Sequence, residues 1–464
     1  MKTVLLIDED QAFRATLAEW LARERWQVIE AANGDLGLGF IRIHQPAIVI
    51  CDLLMPRCNG FRLCRIIRKL PEAEQPKIVI SSGRGYPGDR RTALEAGADE
   101  YLVKPVVESE LLKLLAELTA VGYERAPVQS RIPVTPASAA NSICAGGERP
   151  KLEAEGPPTR IKFWGVRGSI PTPGPNTVHY GGNTTCVEVR ADGEIIILDA
   201  GSGLRLLGQS LVAEFKDQPI RVTLLITHTH WDHIHGFPFF MPAYNPRNRI
   251  HIVGFEGSRE GLQTVLASQM ESPYFPVSMR QMEGHITIQE LTDMKFCVGR
   301  VEIDAVFANH PGICVGYRIN TTKGSIVFLP DNEPYQRLRG QGTGEVSAAS
   351  LAYARAQDEK LIEFIRDADV LIIDSQYDDS EYQHHVGWGH GCLDDVVTLA
   401  LIAGVKKLFL FHHDPNHDDE QITRMVNWAR DLVAMHGDSL PIEGAREGVE
   451  VVLNPAIELA SQSS

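Results

Sequence analysis

The stretch ValThrLeuLeuIleThr at 222–227, followed by HisThrHisTrpAspHis at 228–233, decides the fold of the larger part of the chain. The first six residues are apolar or β-branched, which predicts a buried strand. The next six place four metal-ligand side chains in the pattern H-x-H-x-D-H, on the loop and helix start after that strand. Imidazoles and a carboxylate presented from one turn suit a zinc or mixed-metal centre.

Further ligand-type side chains follow later strand-like runs. His310 stands in AlaAsnHisProGly, Asp331 comes after IleValPheLeuPro, and His412 follows LeuPheLeuPhe. His413 is the immediate neighbour of His412 and is an alternative ligand at that position. Together with the H-x-H-x-D-H run, these residues supply enough ligands for two metal ions.

This set resembles the metallo-β-lactamase fold over roughly residues 159–455, and within it the phosphodiesterase branch related to tRNase Z. The resemblance implies an αββα sandwich with two divalent metal ions, for which Zn²⁺ fits best and Mn²⁺ or Fe are alternatives. It also implies that Asp199, in LeuAspAlaGlySerGly, orients the ligand loop. The implied ligands are His228, His230 and His310 for one metal, Asp232, His233 and His412 for the other, and Asp331 as the bridge.

Such a pair of metals activates a shared water for attack on phosphorus and leaves the need for an acid at the leaving group. His390, in GlyTrpGlyHisGly, matches the tRNase Z histidine that donates this proton, and Asp232 is a candidate to share the acid–base work. The glycine-rich runs at 165–174 and 180–185 resemble entry loops of the same branch. They make Arg167 and Asn183 candidate substrate contacts.

The N-terminal segment has a different pattern, in which five short apolar runs alternate with helical periodicity. This predicts a doubly wound parallel sheet, whose sites lie at the carboxyl ends of the strands. Acids, a hydroxyl and an ammonium at that edge suit Mg²⁺ binding and phosphoryl transfer to an aspartate. The polar residues at the predicted strand ends are Asp8, Glu9, Asp52, Ser81, Ser82 and Lys104.

The segment resembles a response-regulator receiver domain over about 120 residues, through ValLeuLeuIleAspGluAsp, AspLeuLeuMetPro and AlaGlyAlaAspGluTyrLeuValLysPro. A Glu stands at position 9, where many receivers have Asp. The resemblance implies a sensor histidine kinase as phosphoryl donor. The implied roles are Asp52 as phosphoacceptor, Asp8 and Glu9 as the Mg²⁺ pair, Ser82 and Lys104 as phosphoryl contacts, and Tyr101 as the switch aromatic.

Between the two patterns, residues 121–158 contain six prolines and lack periodicity, which predicts a linker between a receiver domain at 1–120 and a hydrolase domain at 159–464. Residues 159–464 carry 25 basic and 39 acidic side chains, which disfavours DNA or long RNA as a partner. No run is long enough to span a membrane, and the eight cysteines lack disulfide or zinc-finger spacing, so a cytoplasmic protein without disulfides is expected.

The leading hypothesis is a response regulator with an enzymatic output, a phosphodiesterase for a small substrate such as a cyclic nucleotide, regulated at Asp52. An ester, lactone or thioester hydrolase is an alternative, because the same motif occurs in lactonase and glyoxalase II relatives. An RNA-processing nuclease and a phosphorylation-controlled adaptor with a structural metal are the others. The linker permits either a receiver that covers the active site or a phosphorylation-dependent homodimer.

Overall fold

The computed structural model describes residues 2–71, 75–120, 156–255, 261–272, 274–339 and 347–453. Most of the predicted linker, residues 121–155, lies outside the described residues. The N-terminal domain is a five-stranded parallel sheet of order β2-β1-β3-β4-β5, with helices in the crossovers, as the alternating pattern predicts. Its strands are β1 (Thr3–Ile7), β2 (Gln27–Ala31), β3 (Ile48–Asp52), β4 (Lys77–Ser82) and β5 (Glu100–Val103).

Helices pack on both faces of this sheet because its central strands β1, β3 and β4 are mostly apolar and bury side chains on both faces. On one face, Leu17 and Leu21 of the first helix meet Leu111 and Leu115 of the last, over Val4 and neighbouring strand residues. Asp10 caps the first helix by accepting hydrogen bonds from two backbone N–H groups. The helices are α1 (Gln11–Arg23), α2 (Gly34–His44), α3 (Gly60–Ile67), α4 (Pro87–Ala96) and α5 (Glu108–Leu118).

The C-terminal domain contains two seven-stranded sheets that pack face to face. The first has the order β11-β10-β9-β8-β7-β6-β19 and the second β12-β13-β14-β15-β16-β17-β18. The strands of the first are β6 (Thr159–Gly165), β7 (Cys186–Ala191), β8 (Glu194–Leu198), β9 (Arg221–Ile226), β10 (Arg249–Gly254), β11 (His285–Glu290) and β19 (Glu450–Leu453). Those of the second are β12 (Lys295–Val298), β13 (Val301–Phe307), β14 (Val315–Thr321), β15 (Gly324–Leu329), β16 (Val370–Asp374), β17 (Leu408–Phe411) and β18 (Ile442–Gly444).

The inner faces of these sheets form one apolar layer, in which the ring of Phe163 of β6 packs at a tilt against Phe409 and Phe411 of β17. Helices cover both outer faces, so the expected αββα sandwich is confirmed. The helices are α6 (Gly203–Phe215), α7 (Trp231–Ile234), α8 (Leu262–Ser268), α9 (Tyr335–Arg339), α10 (Ala348–Ile365), α11 (Asp379–Tyr382), α12 (Leu393–Ile402) and α13 (Asp419–Met435).

The two domains touch along one side of the N-terminal sheet. Met55 lines a crevice with Phe255 and Leu291 of the C-terminal domain, and all three side chains are buried. Beside this apolar contact, Arg57 forms a salt bridge of 3.0 Å with Asp293. Because the apolar patch is shared, the domains are docked rather than separate.

Two expectations concern features of the whole chain. In the part of the chain that the structure describes, no helix combines the length and the apolar character needed to cross a bilayer. The expectation that no cysteine is paired is wrong, because Cys297 on β12 is disulfide-bonded. Spacing along the sequence says nothing about which thiols the fold brings together. Six other cysteines of the described residues are not in a disulfide: Cys51, Cys58, Cys64, Cys186, Cys314 and Cys392.

Candidate metal centre and phosphoacceptor site

The H-x-H-x-D-H run leaves the carboxyl end of β9 and enters the short helix α7. Asp199, which directly follows β8, forms hydrogen bonds that fix this turn. Its Oδ1 accepts a hydrogen bond from the N–H of Thr227 at 2.8 Å, and its Oδ2 lies 2.8 Å from Nδ1 of His233. This fixes the His233 ring with Nε2 turned toward the other ligand-type residues. The contact agrees with the orienting role expected for Asp199.

The fold brings the predicted ligands together after the ends of β9, β13, β15 and β17. Nε2 of His310 lies 2.9 Å from Nδ1 of His230, and Asp331 reaches both halves of the site, at 3.0 Å from His233 and 3.4 Å from His412. Within each of the following groups, the donor atoms lie within 4.8 Å of one another: His228, His230 and His310; His228, His233 and Asp331; Asp232, His233 and His412.

Several donor atoms of this cluster are buried without a hydrogen bond. Among the described residues, Nε2 of His228, Nε2 of His233 and Oδ2 of Asp331 have no partner in hydrogen-bond geometry, although the last two atoms lie 3.0 Å apart. Buried polar atoms normally have hydrogen-bond partners. Three that lack one, on residues whose donor atoms lie within 4.8 Å of one another, fit a bound cation. Burial lowers the pKa of His228 and of His310, which keeps both imidazoles neutral and able to act as ligands. The donor set therefore suits divalent metal ions.

The structure separates the two adjacent candidates at the end of β17. Nε2 of His412 lies 3.2 Å from Oδ2 of Asp232, whereas Nε2 of His413 lies 2.9 Å from the carbonyl of Ala445, away from the cluster. Burial lowers the pKa of His413 to about 3, as expected for a neutral core histidine. The geometry thus favours His412 as the ligand.

His390 lies at the edge of the cluster, on the loop before α12. Its Nδ1 is 3.0 Å from Oδ2 of Asp374 and 3.5 Å from Oδ1 of Asp331, and its ring stacks on His412 at 5.1 Å. Burial lowers the pKa of His390, but the charge of Asp374, helped by Asp331 and Asp232, outweighs burial and raises the pKa to about 9. In this Asp–His pair, Asp374 holds Nδ1 of the imidazole, and Nε2 is the nitrogen that could donate a proton to a bound group.

Two glycines allow backbone to approach the ligand rings closely. A Cβ at Gly168 would lie 2.4 Å from the His412 ring. A Cβ at Gly389 would lie 2.4 Å from Nδ1 of His310, and Gly389 also has a φ of +90°. Gly168, in the glycine-rich run at 165–174, and Gly389, in GlyTrpGlyHisGly, therefore bring main chain against predicted metal-ligand side chains.

Two candidates from the glycine-rich runs make contacts within the protein, and for Arg167 these contradict the predicted role. Arg167 is fully buried and donates hydrogen bonds to the carbonyls of Gly181, Asp414 and His417, so its guanidinium does not face the cluster. Asn183 donates from Nδ2 to Glu447 at 2.9 Å. Both side chains tie loops together, and the buried guanidinium needs such partners within the protein. The buried Arg167 guanidinium is therefore not placed to contact a substrate, whereas a substrate contact by the half-buried Asn183 stays a prediction.

The receiver residues meet at the carboxyl edge of the N-terminal sheet. Nζ of Lys104 lies 2.6 Å from Oδ2 of Asp8 and 3.3 Å from Oδ1 of Asp52, while Glu9 is exposed beside them. Burial, with the neighbouring Asp8 charge, raises the pKa of Asp52 to about 6. A buried acid pocket with one ammonium is the arrangement expected for Mg²⁺ and a phosphorylated aspartate.

Ser82 and Tyr101 lie one step away from this pocket. Oγ of Ser82 accepts a hydrogen bond from the N–H of Arg84 at 3.2 Å, and the buried Tyr101 hydroxyl donates to the Arg84 carbonyl at 2.9 Å. Ser81, which is paired with Asp52 in the strand register, has a buried hydroxyl with no partner among the described residues. The two predicted residues thus both contact the main chain of Arg84.

Sequence reasoning missed two carboxylates that organise the metal side. Asp374 ends β16 and accepts from the N–H of Gly391 as well as pairing with His390. Glu333 accepts from the N–H groups of Gly387 and Gly389 at 2.8 and 2.9 Å. Asp374 follows an apolar strand just as Asp331 does, so the strand-end signal was present for it. Glu333 gives no comparable signal in the sequence.

Comparison with known proteins agrees with both domains. Residues 4–116 match the family model of the response regulator receiver domain, and residues 195–413 match that of the beta-lactamase superfamily domain. The transcriptional regulatory protein AfsQ1 of Streptomyces coelicolor is 38% identical over 106 residues, which is 23% of this chain and 46% of that protein. The chain thus spans less than half the length of this curated relative.

Solved structures similar to the C-terminal part include the metallo-beta-lactamase fold protein YhfI from Bacillus subtilis, with 18% identity, a TM-score of 0.44, and coverage of 64% of this chain and 99% of that one. Human tRNase Z, short form, has 17% identity, a TM-score of 0.41, and coverage of 63% and 99%. The family models carry the assignment: this chain is a response regulator receiver domain fused to a domain of the beta-lactamase superfamily fold.

Proposed function

We propose that this protein is a response regulator whose output is a dinuclear-metal phosphodiesterase acting on a small phosphodiester, such as a cyclic nucleotide. Two divalent ions, with Zn²⁺ the best match, would be held by His228, His230 and His310 and by Asp232, His233 and His412, with Asp331 between them. When bound, such ions supply a water activated near neutral pH and stabilise charge on the reacting oxygens.

The observation that carries this proposal is the position of His390. Its Nδ1 is held by Asp374 at 3.0 Å, and its ring lies beside His310 and His412, at 5.2 and 5.1 Å between ring centres. This leaves Nε2 available to a group bound at the cluster. An alkoxide that leaves phosphorus needs a proton, whereas the alcohol of an activated acyl ester departs more easily. A histidine that an aspartate holds in place as a proton donor therefore favours the phosphodiesterase.

Two exposed tryptophans are sequence neighbours of cluster residues and would suit a substrate with a flat ring. Trp231 follows His230 and is 74% exposed, and Trp388 precedes Gly389 and is 59% exposed. The Gly389 carbonyl accepts a hydrogen bond from His310, so the loop of Trp388 contacts the cluster, and Trp231 begins helix α7, which carries Asp232 and His233. Stacking of a base on an aromatic ring is worth about 1–3 kcal/mol, which suits a nucleobase at the mouth of the site.

The receiver side of the proposal assigns Asp52 as the phosphoacceptor, with a sensor histidine kinase as donor. Asp8, Glu9 and Asp52 would hold Mg²⁺, and Lys104 and Ser82 would contact the added phosphoryl oxygens. The Lys104 ammonium already lies within 3.3 Å of Asp52, so its charge is in place to balance the incoming phosphoryl group. Phosphorylation would then regulate the hydrolase in the same chain.

The reaction class is tested with the full chain, after its metal content has been measured. Hydrolysis of bis-p-nitrophenyl phosphate is compared with that of p-nitrophenyl acetate, followed by a panel of cyclic nucleotides. His228→Ala removes a proposed ligand, and His413→Asn is the matched histidine change outside the cluster. We expect phosphodiester turnover that the first variant loses and the second retains.

The alternatives give different results. Turnover of the carboxylic ester alone would overturn the phosphodiesterase and favour the acyl hydrolase. Cleavage of RNA with no cyclic-nucleotide activity would favour a nuclease. Absence of turnover with every substrate, in protein with two metals bound and both before and after treatment with acetyl phosphate, would favour a signalling adaptor with a structural metal.

A further inference from the structure

Arg84 belongs to the receiver domain but its side chain is buried against the metal-ligand loop of the other domain. It follows Ser82 by two residues, is fully buried, and its guanidinium donates hydrogen bonds to the carbonyls of His310 and Gly312, the latter at 2.7 Å. Asp89 pairs with it at 3.0 Å. Burying a guanidinium is costly unless its donors are satisfied, so the loop carbonyls are integral to its placement.

The same loop is held by the receiver at two more backbone atoms. Oδ1 of Asp89 accepts from the N–H of Gly312 at 2.8 Å, and the Tyr86 hydroxyl lies 3.1 Å from the carbonyl of Asn309. Four main-chain groups between Asn309 and Gly312 therefore contact three receiver side chains. His310 lies inside that span, so the receiver fixes the backbone that carries this ligand.

Tyr86 also reaches the loop that carries His390. Its hydroxyl lies 3.1 Å from Oε2 of Glu333, and that carboxylate accepts from the N–H groups of Gly387 and Gly389. The carbonyl of Gly389 in turn lies 2.8 Å from Nδ1 of His310. The loops of the proposed ligand and of the proposed acid thus converge on one receiver tyrosine.

We propose that Arg84 and Tyr86 of the receiver domain are positioning residues of the metal centre: together they hold the loop of His310 and, through Glu333, the loop of His390. The regulatory part of this proposal rests on the proposed function. In that function, the contacts of Arg84 and Tyr86 are the physical link between Asp52 and the hydrolase. Ser82 accepts from the Arg84 N–H and Tyr101 donates to the Arg84 carbonyl. A phosphoryl group that draws on the Ser82 hydroxyl shifts the main chain from which Arg84 extends.

The test measures Zn²⁺ affinity of the full chain by competition with a chromogenic chelator, which needs no substrate. Tyr86→Phe removes one hydroxyl. The double change Arg84→Met with Asp89→Asn removes the buried charge pair together and keeps an acceptor for the Gly312 N–H. Arg57→Ala is the control, since it breaks the salt bridge to Asp293 elsewhere between the domains. Circular dichroism verifies the fold of each variant.

We expect Zn²⁺ binding to weaken about 10–100-fold in the double variant and about 10-fold in Tyr86→Phe, as for loss of groups that orient metal ligands, with no change in Arg57→Ala. Beryllofluoride with Mg²⁺ should shift the Zn²⁺ affinity of the wild type but not that of the double variant. Unchanged Zn²⁺ affinity in a folded Tyr86→Phe and double variant would overturn the proposal. Failure of the proposed function would instead show as absent turnover with these affinity changes intact.

Discussion

At the scale of single residues, the sharpest feature is the division of labour among the histidines of the C-terminal site. His390 is held through Nδ1 by Asp374, whereas His228 and His233 have buried Nε2 atoms without a hydrogen-bond partner in the described part of the chain. The first arrangement suits proton transfer and the second suits metal binding. Residue type alone does not distinguish them, but the partner of each ring does.

His390→Ala tests the proton-donor role. We expect kcat to fall about 10²–10⁴-fold for a substrate with an alkoxide leaving group, because that oxygen needs a proton in the transition state. A substrate that releases p-nitrophenolate should lose far less, since this anion leaves without protonation. Steady-state kinetics on both substrates, at equal metal content, make the comparison. Equal losses on the two substrates would instead point to a ligand or structural role for His390.

Gly168→Ala tests how closely the backbone confines His412. The new Cβ would lie 2.4 Å from the His412 ring, so the ring must move and its metal should be bound less tightly. We expect the metal content to fall toward one equivalent per chain, measured by atomic emission after dialysis. Gly174→Ala is the control, because its nearest atom would lie at 3.9 Å. Two retained equivalents in Gly168→Ala would contradict the assignment of His412.

At the scale of elements, the positions of strand ends explain why many residues of both candidate sites can be predicted from the sequence. Asp8, Asp52, Asp331 and His412 each follow or end an apolar strand of a parallel pair, and such ends meet at one edge. The periodicity of those strands therefore fixes where the side chains lie. Loops differ, because Glu333 and Gly389 are set by contacts between distant segments that no local pattern records.

The two loops that carry exposed tryptophans give an element-scale prediction. Trp388→Ala should raise KM for adenosine 3′,5′-cyclic phosphate by about tenfold, equivalent to the loss of one stacked base, and leave kcat nearly unchanged. A base-free cyclic ribose phosphate is the control substrate and should show the same KM in both proteins. A KM increase for both substrates would indicate a disturbed loop rather than lost stacking.

At the scale of the whole molecule, the sequence predicts the two domains and the linker pattern between them, but not how the domains meet. A pattern of prolines tells only that the periodic segments are separate. The crevice that Met55 shares with Phe255 and Leu291, and the contact of Arg84 with the His310 loop, join residues 200 or more positions apart. The charge and hydrophobicity of each of these residues would also fit an ordinary core or surface position. No local sequence pattern therefore identifies these residues as part of a domain interface.

Docking of the two domains gives the last prediction. A compact chain of 464 residues has a radius of gyration of about 23 Å, and small-angle X-ray scattering of the wild type should come close to it. Met55→Asp places a charge in the buried crevice, where it lacks a partner, so we expect the domains to separate and the radius to increase by several ångströms. Asp52 should remain open to acetyl phosphate in this variant, which shows that the receiver is folded. A wild-type radius as large as that of the variant would mean that the domains are not docked in solution, and the link from Arg84 to His310 would then have no physical basis.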